Sequence, residues 1–438
     1  MLDTLGIDEL WVIATCAVCA AACAIPGVFL VLSRSSLLAD GISHSALAGV
    51  GVAFLLTQSR SPWEMIIGAL AAGIVTAWLS SAVSRASIIK SDAALGMVFT
   101  TLFSIGVIIV TVAAREVDLD PGCILYGIPE FLAFDTINST GLEVPRAFVR
   151  LLALLIVNVL LCYAFWKELR LAIFDPLLAQ SLGFYPTRIH YGILVVVTIT
   201  VVLSFEALGS ILVVTMLVAP AAAAYLWSDR LTTVMLMAVL LAVFSAISGY
   251  AGALALNSSI AGVMSVVAGI LFILAALLAP KRGIIPTFAI RTGLRCQIVR
   301  DDILGLLFRW HEVAAQLSAD KAPTRDHTAQ PLTTRQIRQA IGPWWATLYA
   351  LRSLRTRGEI ISSPDGGLRL SERGLVEARA VIRSHRLWEA YLAKHLSLPA
   401  DHLHAPSERA EHFIGRALAR EIAEDVESKK DPHGKVIP

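Results

Sequence analysis

Hydrophobic positions fill the first two thirds of the chain in long, almost unbroken runs, not in the alternating or one-sided pattern of a soluble fold. A helix crossing a hydrocarbon layer of about 30 Å needs about 20 consecutive apolar residues. Runs of that kind cover 10–33, 39–57, 63–84, 94–114, 148–166, 189–204, 207–227, 231–250 and 259–279. Only Phe205 and Glu206 separate the sixth from the seventh, so eight or nine spans are expected. Beyond residue 290 the pattern becomes that of a soluble protein. An amphipathic helix is expected over 301–318, a polar loop over 319–331, and helical stretches over 333–341 and 343–357. Asp365-Gly366-Gly367 then lies between two short alternating runs, which signals a β-hairpin. Helix, helix, hairpin is the order of a winged helix-turn-helix, and helices over 372–395 and 406–428 complete the tail. The expected fold is an all-α polytopic membrane domain over 1–290, a winged-helix-like segment over 291–372 and a helical segment over 373–438.

Composition sharpens the break. Of 438 residues only 16% are charged, against about 25% in an ordinary soluble domain, so the whole is neither a disordered chain nor a basic nucleic-acid-binding protein. Residues 1–290 carry 13 Lys/Arg and 16 Asp/Glu, and residues 291–438 carry 23 and 18. Eight of the ten histidines also follow residue 290. The six cysteines form no disulfide framework, since five lie in or beside apolar runs. Cys16, Cys19 and Cys23 share one helix face, as small residues for close helix packing or as soft metal ligands. The acidic start, MLDTLGIDEL, argues against a cleaved signal peptide.

Loop charges set the expected orientation. With the N-terminus outside, Arg34, Arg85, Lys90, Lys167, Arg170, Arg188, Arg230, Lys281 and Arg282 face inward, and only Arg60, Arg115, Arg146 and Arg150 face outward. The tail is then cytoplasmic. The outer loop 115–147 is acidic, with Glu116, Asp118, Asp120, Glu130, Asp135 and Glu143.

Ionisable groups inside apolar spans are costly and are functional candidates by default. Asp40 and His44 stand at i, i+4 on one helix face, and a carboxylate with an imidazole makes half a shell for a divalent first-row cation. Capping by Asp40, with His44 bonded in a helix interface, stays open beside that reading. Glu206 sits at the junction of the sixth and seventh runs, and Asp92 is expected as an N-cap of the fourth. The stretch LAIFDPLLAQSLGFYP is a loop of helical character, apolar enough to dock on another protein or to lie at an interface.

These segments carry a resemblance. LADGISHSALAGVGVAFLL, DAALGMVFTTLFSIGV, FDPLLAQSLGF, FEALGSILVVTMLVAPAAAAYL and SVVAGILFILAALLAPKRGII together resemble the permease subunits of metal-ion ABC transporters, the zinc, manganese and iron uptake class. The resemblance spans residues 10–285. It implies a dimer of permease subunits, homo- or heteromeric, in the cell inner membrane, and an extracytoplasmic metal-binding protein that delivers the ion. It also implies a cytoplasmic ATPase seated on the loop around Phe174, Asp175, Pro176 and Gly183. Asp40 and His44 match the class's D-x-x-x-H in the second span, which makes them expected transport-pathway residues. No Gly-x-x-x-x-Gly-Lys-Ser/Thr loop occurs here, so ATP hydrolysis is expected from the partner.

In the tail, His385 and Glu389 stand at i, i+4, and Glu408, Glu411 and His412 form E-x-x-E-H, with His404 between the two groups. Each is a solvated surface residue or part of a site for one or two divalent ions. LSERGLVEARAVIRSHRLWEAYL, the E-x-x-E-H stretch and the terminal DPHGKVIP resemble the metal-dependent repressors of the diphtheria-toxin-repressor type, including the manganese-sensing branch. The resemblance implies a metal-binding and dimerisation segment over 373–438, with Asp302, His385, Glu389, His404, Glu408, Glu411 and His412 as ligands. Glu408 replaces a cysteine of the iron-sensing branch, and hard oxygen donors favour Mn²⁺. Gly305 stands where the manganese branch has a further carboxylate. In the would-be recognition helix, Trp344, Trp345, Leu348 and Tyr349 replace the polar side chains a DNA reader offers to base edges. Arg352, Arg355 and Arg357 suit phosphates, or form the ordinary basic face of an inward-packed helix.

The leading expectation is an importer of divalent metal, Mn²⁺ favoured over Zn²⁺ or Fe²⁺, whose tail senses cytoplasmic metal. The alternatives are a tail that binds DNA, in place or after proteolysis, and one that only dimerises. Neither a nucleophile–base constellation nor a phosphate loop supports an enzyme.

Overall fold

The computed structural model describes residues 6–58, 62–86, 88–113, 132, 135–139, 142–319, 331–363, 366–396, 403, 407, 410–426 and 430–438. Cys123, Glu116, Asp118, Asp120, Glu130, His402, His404 and Glu408 lie outside these residues. The chain forms two compact units, Met1–Pro286 and Thr287–Pro438.

In the first unit, α1 (Ile7–Leu32), α2 (Leu37–Thr57), α3 (Pro62–Ala86) and α4 (Ser91–Ala113) precede a short hairpin, β1 (Thr136–Ser139) and β2 (Leu142–Pro145). Then come α5 (Arg146–Ala164), α6 (Trp166–Phe174), α7 (Pro176–Ser181), α8 (Pro186–Leu208), α9 (Ser210–Trp227), α10 (Leu231–Leu256) and α11 (Ile260–Leu278). Among the described residues nine helices are long and apolar enough to cross a membrane. Phe205 and Glu206 do not divide the sixth run from the seventh; both lie within α8, and the break is at Gly209, with φ 80°. Glutamate is a good helix former, so one acidic residue does not end a helix. Asp92 likewise lies inside the first turn of α4, two residues past the N-cap position at Lys90, where a carboxylate still favours the helix N-terminus.

Helix α1 packs against α5, α8, α9 and α10. Its three cysteines are buried in the resulting core. Polar groups inside this core find partners: Cys23 Sγ lies 3.6 Å from Ser204 Oγ, and Asn158 Nδ2 donates to the Ala22 carbonyl and to Thr200 Oγ1, each at 3.0 Å. Helices α2, α3 and α4 form a second group. A Cβ on Gly49 would fall 2.0 Å from the Gly68 carbonyl oxygen, so α2 and α3 meet backbone to backbone. Such contact holds helices together where lipid offers no hydrophobic gain. The hairpin β1–β2 has four-residue strands, too short for their alternation to stand out beside the apolar runs. Asp135 and Arg146 pair across its base at 3.2 Å.

The second unit holds most of α12 (Ile284–Ala319). This helix starts earlier than the amphipathic pattern suggests, because Pro286 falls in its first turn, where a missing N–H is harmless. The described elements after it are β3 (Leu332–Thr333), α13 (Thr334–Ala340), α14 (Trp344–Thr356), β4 (Ile360–Ser362), β5 (Gly367–Leu370), α15 (Glu372–Leu396) and α16 (Arg416–Val426). Strand β5 lies between β3 and β4, antiparallel to both. Thr333 and Gln336 form a capping box that starts α13. Ile303, Leu304, Ile337, Leu354 and Ile382 fill the core, and the C-terminal half of α15 packs Leu387 on Ala419 and Ile422 of α16. The terminal DPHGKVIP folds into a tight turn in which Asp431 Oδ1 accepts from the backbone N–H of His433 and Lys435. Residues 406–428 do not form one helix. Glu411–Phe413 is a separate 3₁₀ turn, and Ile414 turns extended before α16 begins.

Candidate functional site

Asp40 and His44 meet on α2, with Asp40 Oδ1 3.4 Å from His44 Nε2 and both side chains half-exposed. Ser36, not Asp40, stands at the N-cap of α2, so the capping reading of Asp40 fails. The imidazole stacks on Phe99 and meets Phe103 edge-on, with centroids 5.9 and 5.3 Å away. Two aromatic rings of α4 thereby fix the plane of the imidazole beside the carboxylate.

The docking stretch is built for exposure. Asp175 caps α7, its Oδ1 accepting from Leu178 N at 2.9 Å, and Pro176 occupies the first helical position. Gly183 ends the segment at φ 84°, a conformation in which a Cβ is strained. Ala179 is buried, while Phe174, Leu177, Leu178 and Leu182 point outward. The short capped helix thus presents an apolar outer face.

In the tail three distant segments converge. His385 and Glu389 of α15 pair at 3.1 Å, and Glu411 Oε2 lies 2.5 Å from His385 Nδ1. The other carboxylate oxygen of Glu411 lies 3.8 Å from His412 Nε2, which in turn lies 3.4 Å from Asp302 Oδ1 of α12. Glu411 therefore stands between two half-sites. Glu411 and His412 are both carried on the 3₁₀ turn Glu411–Phe413. His385, Glu389 and Glu411 are buried, and ligand atoms of Asp302, Glu411 and His412 lie within 4.8 Å of one another.

Buried carboxylates outnumber imidazoles here, and such a cluster is satisfied by a cation. The nitrogen and oxygen donors of Asp302, Glu411 and His412 fit a divalent first-row metal ion, whereas Glu389 and Glu411 meet opposite ring nitrogens of His385. Without metal, protons serve instead. Burial opposes the charge of His385, but Glu389 and Glu411 outweigh it and raise the pKa to about 9. For His412 burial is likewise overcome, by Asp301, Asp302 and Glu411, and the pKa rises to about 10.

Gly305 lines a cavity of about 450 Å³ together with Asp302, Arg309, Glu411 and His412. The space of the missing carboxylate is open. Sequence reasoning missed Asp301, whose Oδ2 is 3.7 Å from His412 Nδ1. It also missed buried Arg386, which donates to Glu312 Oε2 at 2.7 Å and to the Val436 carbonyl at 2.6 Å, with Asp431 Oδ2 3.7 Å away. The adjacent carboxylates at 301 and 302 were the only local signal; the other partners are far apart in sequence.

On α14, Ala346, Thr347, Ala350, Leu351 and Leu354 face the core, and Arg352, Arg355 and Arg357 are exposed. Trp344, Trp345, Leu348 and Tyr349 do not pack inward as an ordinary core face would; all four are exposed.

Residues 9–279 match the family model described as ABC 3 transport family, and residues 371–438 match the iron dependent repressor, metal binding and dimerisation domain. The chain is 40% identical over 278 residues to the manganese transport system membrane protein MntD of Bacillus subtilis, covering 63% of this chain and 94% of that one. It is 38% identical over 277 residues to the zinc transport system membrane protein TroD of Treponema pallidum, covering 63% and 76%. Among solved structures, PsaBC from Streptococcus pneumoniae in complex with Fab is similar, with a TM-score of 0.54 and 27% identity over 64% of this chain and 95% of that one. With its apolar helices and these relatives, the chain is a multi-pass membrane protein, and it belongs to the ABC 3 transport family.

Proposed function

We propose that the chain is the membrane permease subunit of an importer of divalent metal ions, Mn²⁺ before Zn²⁺ or Fe²⁺, and that its tail senses the imported metal. The family match and the exposed, capped docking helix support the permease reading. The observation that carries the sensor reading is Glu411, placed between two imidazoles that are each flanked by a further carboxylate, Glu389 and Asp302. In this reading the N-terminus lies outside and the tail inside the cell inner membrane. A cytoplasmic ATPase seats on Phe174, Asp175, Pro176 and Gly183, a second permease subunit completes the pathway, and an extracytoplasmic protein delivers the ion. The tail comprises a winged-helix part up to about residue 372 and a metal-binding part beyond it. Metal in the tail biases transport only through different affinity for the two states of the permease. No observation favours DNA over this reading, since the aromatic outer face of α14 offers few polar groups to base edges.

Asp175→Ala removes the cap of α7, worth about 1 kcal/mol, and Gly183→Ala adds strain of roughly 1–2 kcal/mol. Both variants are expected to reach the membrane normally and to lose co-purification with the ATPase. Normal co-purification and uptake in both would remove these residues from the coupling surface.

Metal binding to the tail is expected to strengthen with pH. Both imidazole pKa values are raised above the ordinary histidine value near 6.5. The proton-dependent stability of the metal-free tail is therefore complete below about pH 6.5 and is lost as pH rises through about 9 and about 10. An entering ion displaces these protons, so between pH 6.5 and 9 affinity should rise about tenfold per pH unit for each imidazole that binds. Calorimetric titration of the full chain with Mn²⁺ in buffers of different protonation enthalpy counts the protons released. A release of none would contradict ligation by His385 and His412.

A further inference from the structure

One outer face of the second unit has a composition that neither metal sensing nor transport uses. Along α14, Trp344, Trp345, Leu348 and Tyr349 form a continuous stripe at i, i+1, i+4 and i+5, with Trp344 and Tyr349 each 63% exposed. Arg352, Arg355 and Arg357 continue it toward the C-terminal end of the helix, and Arg335 and Arg338 on α13 and Arg369 on β5 are exposed as well. Glu359, the one described acidic residue between Arg335 and Arg369, is buried. Along α14 the exposed face is therefore aromatic toward the N-terminal end and basic toward the C-terminal end.

We propose that this face of α14 is a membrane-surface contact that seats the second unit on anionic lipid headgroups. Three considerations select this occupant. Tryptophan and tyrosine with flanking arginine is the composition of the membrane–water interface, where an amphipathic ring keeps its apolar body in the acyl boundary and its polar edge in water. Exposed basic groups complement the negative potential of a cytoplasmic leaflet. The bilayer is also always within reach. Only residues 279–283 separate the last span from α12, and five residues reach about 17 Å at most. A compact unit of this size has a radius of gyration of about 15 Å. A unit tethered this closely to a membrane span meets lipid at high effective concentration, so weak interfacial contacts suffice. The inference rests on the multi-pass reading of the first unit and is independent of which metal is carried.

The test uses the full chain in nanodiscs of phosphatidylcholine, with or without phosphatidylglycerol, and a fraction of brominated lipid as quencher. Co-elution with the nanodisc scaffold checks the multi-pass reading separately. The difference in fluorescence between the wild type and Trp344→Phe/Trp345→Phe isolates the two indoles. Expected is a blue-shifted difference spectrum, quenched by brominated lipid when phosphatidylglycerol is present, with quenching reduced severalfold by high salt or by Arg352→Gln/Arg355→Gln/Arg357→Gln. A water-like spectrum in both lipids would overturn the proposal. So would a blue shift without brominated-lipid quenching, which means that a second copy of the chain covers the face. Quenching relieved by a DNA duplex added at low salt would also overturn it, in favour of a nucleic-acid surface.

Discussion

Cells carrying His44→Ala are expected to take up Mn²⁺ at least roughly tenfold more slowly than wild type at equal protein level in the membrane. Loss of groups that merely orient a ligand already costs about 10–100-fold in metal affinity or activity. His44 is placed more directly: its Nε2 lies 3.4 Å from the Asp40 carboxylate, and Phe99 and Phe103 hold the ring in that attitude. Together the pair offers one nitrogen and one oxygen to replace part of the hydration shell of a passing ion. Asp40→Asn should behave similarly, because the amide keeps the shape and removes the charge. Phe99→Ala should fall between, since it loosens the ring without removing a ligand. Both side chains of the pair are half-exposed, so neither change creates a cavity or strands a buried charge. Initial rates of radioactive Mn²⁺ uptake, normalised to membrane protein, provide the check, and wild-type rates in both His44→Ala and Asp40→Asn would remove the pair from the pathway.

The second large effect is expected at Glu411. Glu411→Gln replaces a carboxylate, whose two oxygens face the two half-sites, with a neutral amide, so both are weakened in one step. His385 keeps Glu389, and His412 keeps Asp302, but the group joining them is gone. Affinity of the tail for Mn²⁺ should fall by about a hundredfold or more, the upper end of what indirect partners of a metal cost. At a metal concentration about 100 times the wild-type dissociation constant, binding stabilises the folded tail by about 2.7 kcal/mol. The melting transition of the second unit should therefore rise on Mn²⁺ addition in the wild type and far less in Glu411→Gln. An equal rise in both would show that the ions bind elsewhere.

What could be read from the sequence divides along physical lines. The spans were legible because burial in lipid imposes a length and a composition on each helix separately. The break falls at Gly209 and not at Phe205 and Glu206, because the helix ends where the backbone turns to positive φ and not where a charge stands. Asp40 and His44 were legible because their spacing alone puts them together on α2. In the tail, the pair His385 and Glu389 was legible for the same reason. The joining role of Glu411 was not, because it depends on a 3₁₀ turn where periodicity suggests a longer helix. It also depends on contact with α12, more than a hundred residues earlier in the chain. Arg386 was invisible for a related reason, since its partners Glu312, Asp431 and Val436 come from both ends of the unit. The outward face of α14 contradicts sequence intuition most directly: four large apolar side chains suggested an inward-packed helix, yet Ala346, Ala350 and Leu354 supply the core and the aromatics stand outside.

The central claim is that one chain both conducts a divalent metal and responds to it. Its most direct test is the initial rate of Mn²⁺ uptake in cells first loaded with Mn²⁺ or kept depleted, compared between the wild type and Glu411→Gln at equal membrane level. Loading is expected to slow wild-type uptake, while the variant continues at the rate of depleted cells. The same slowing in both would contradict it, because transport would then be indifferent to metal bound in the tail.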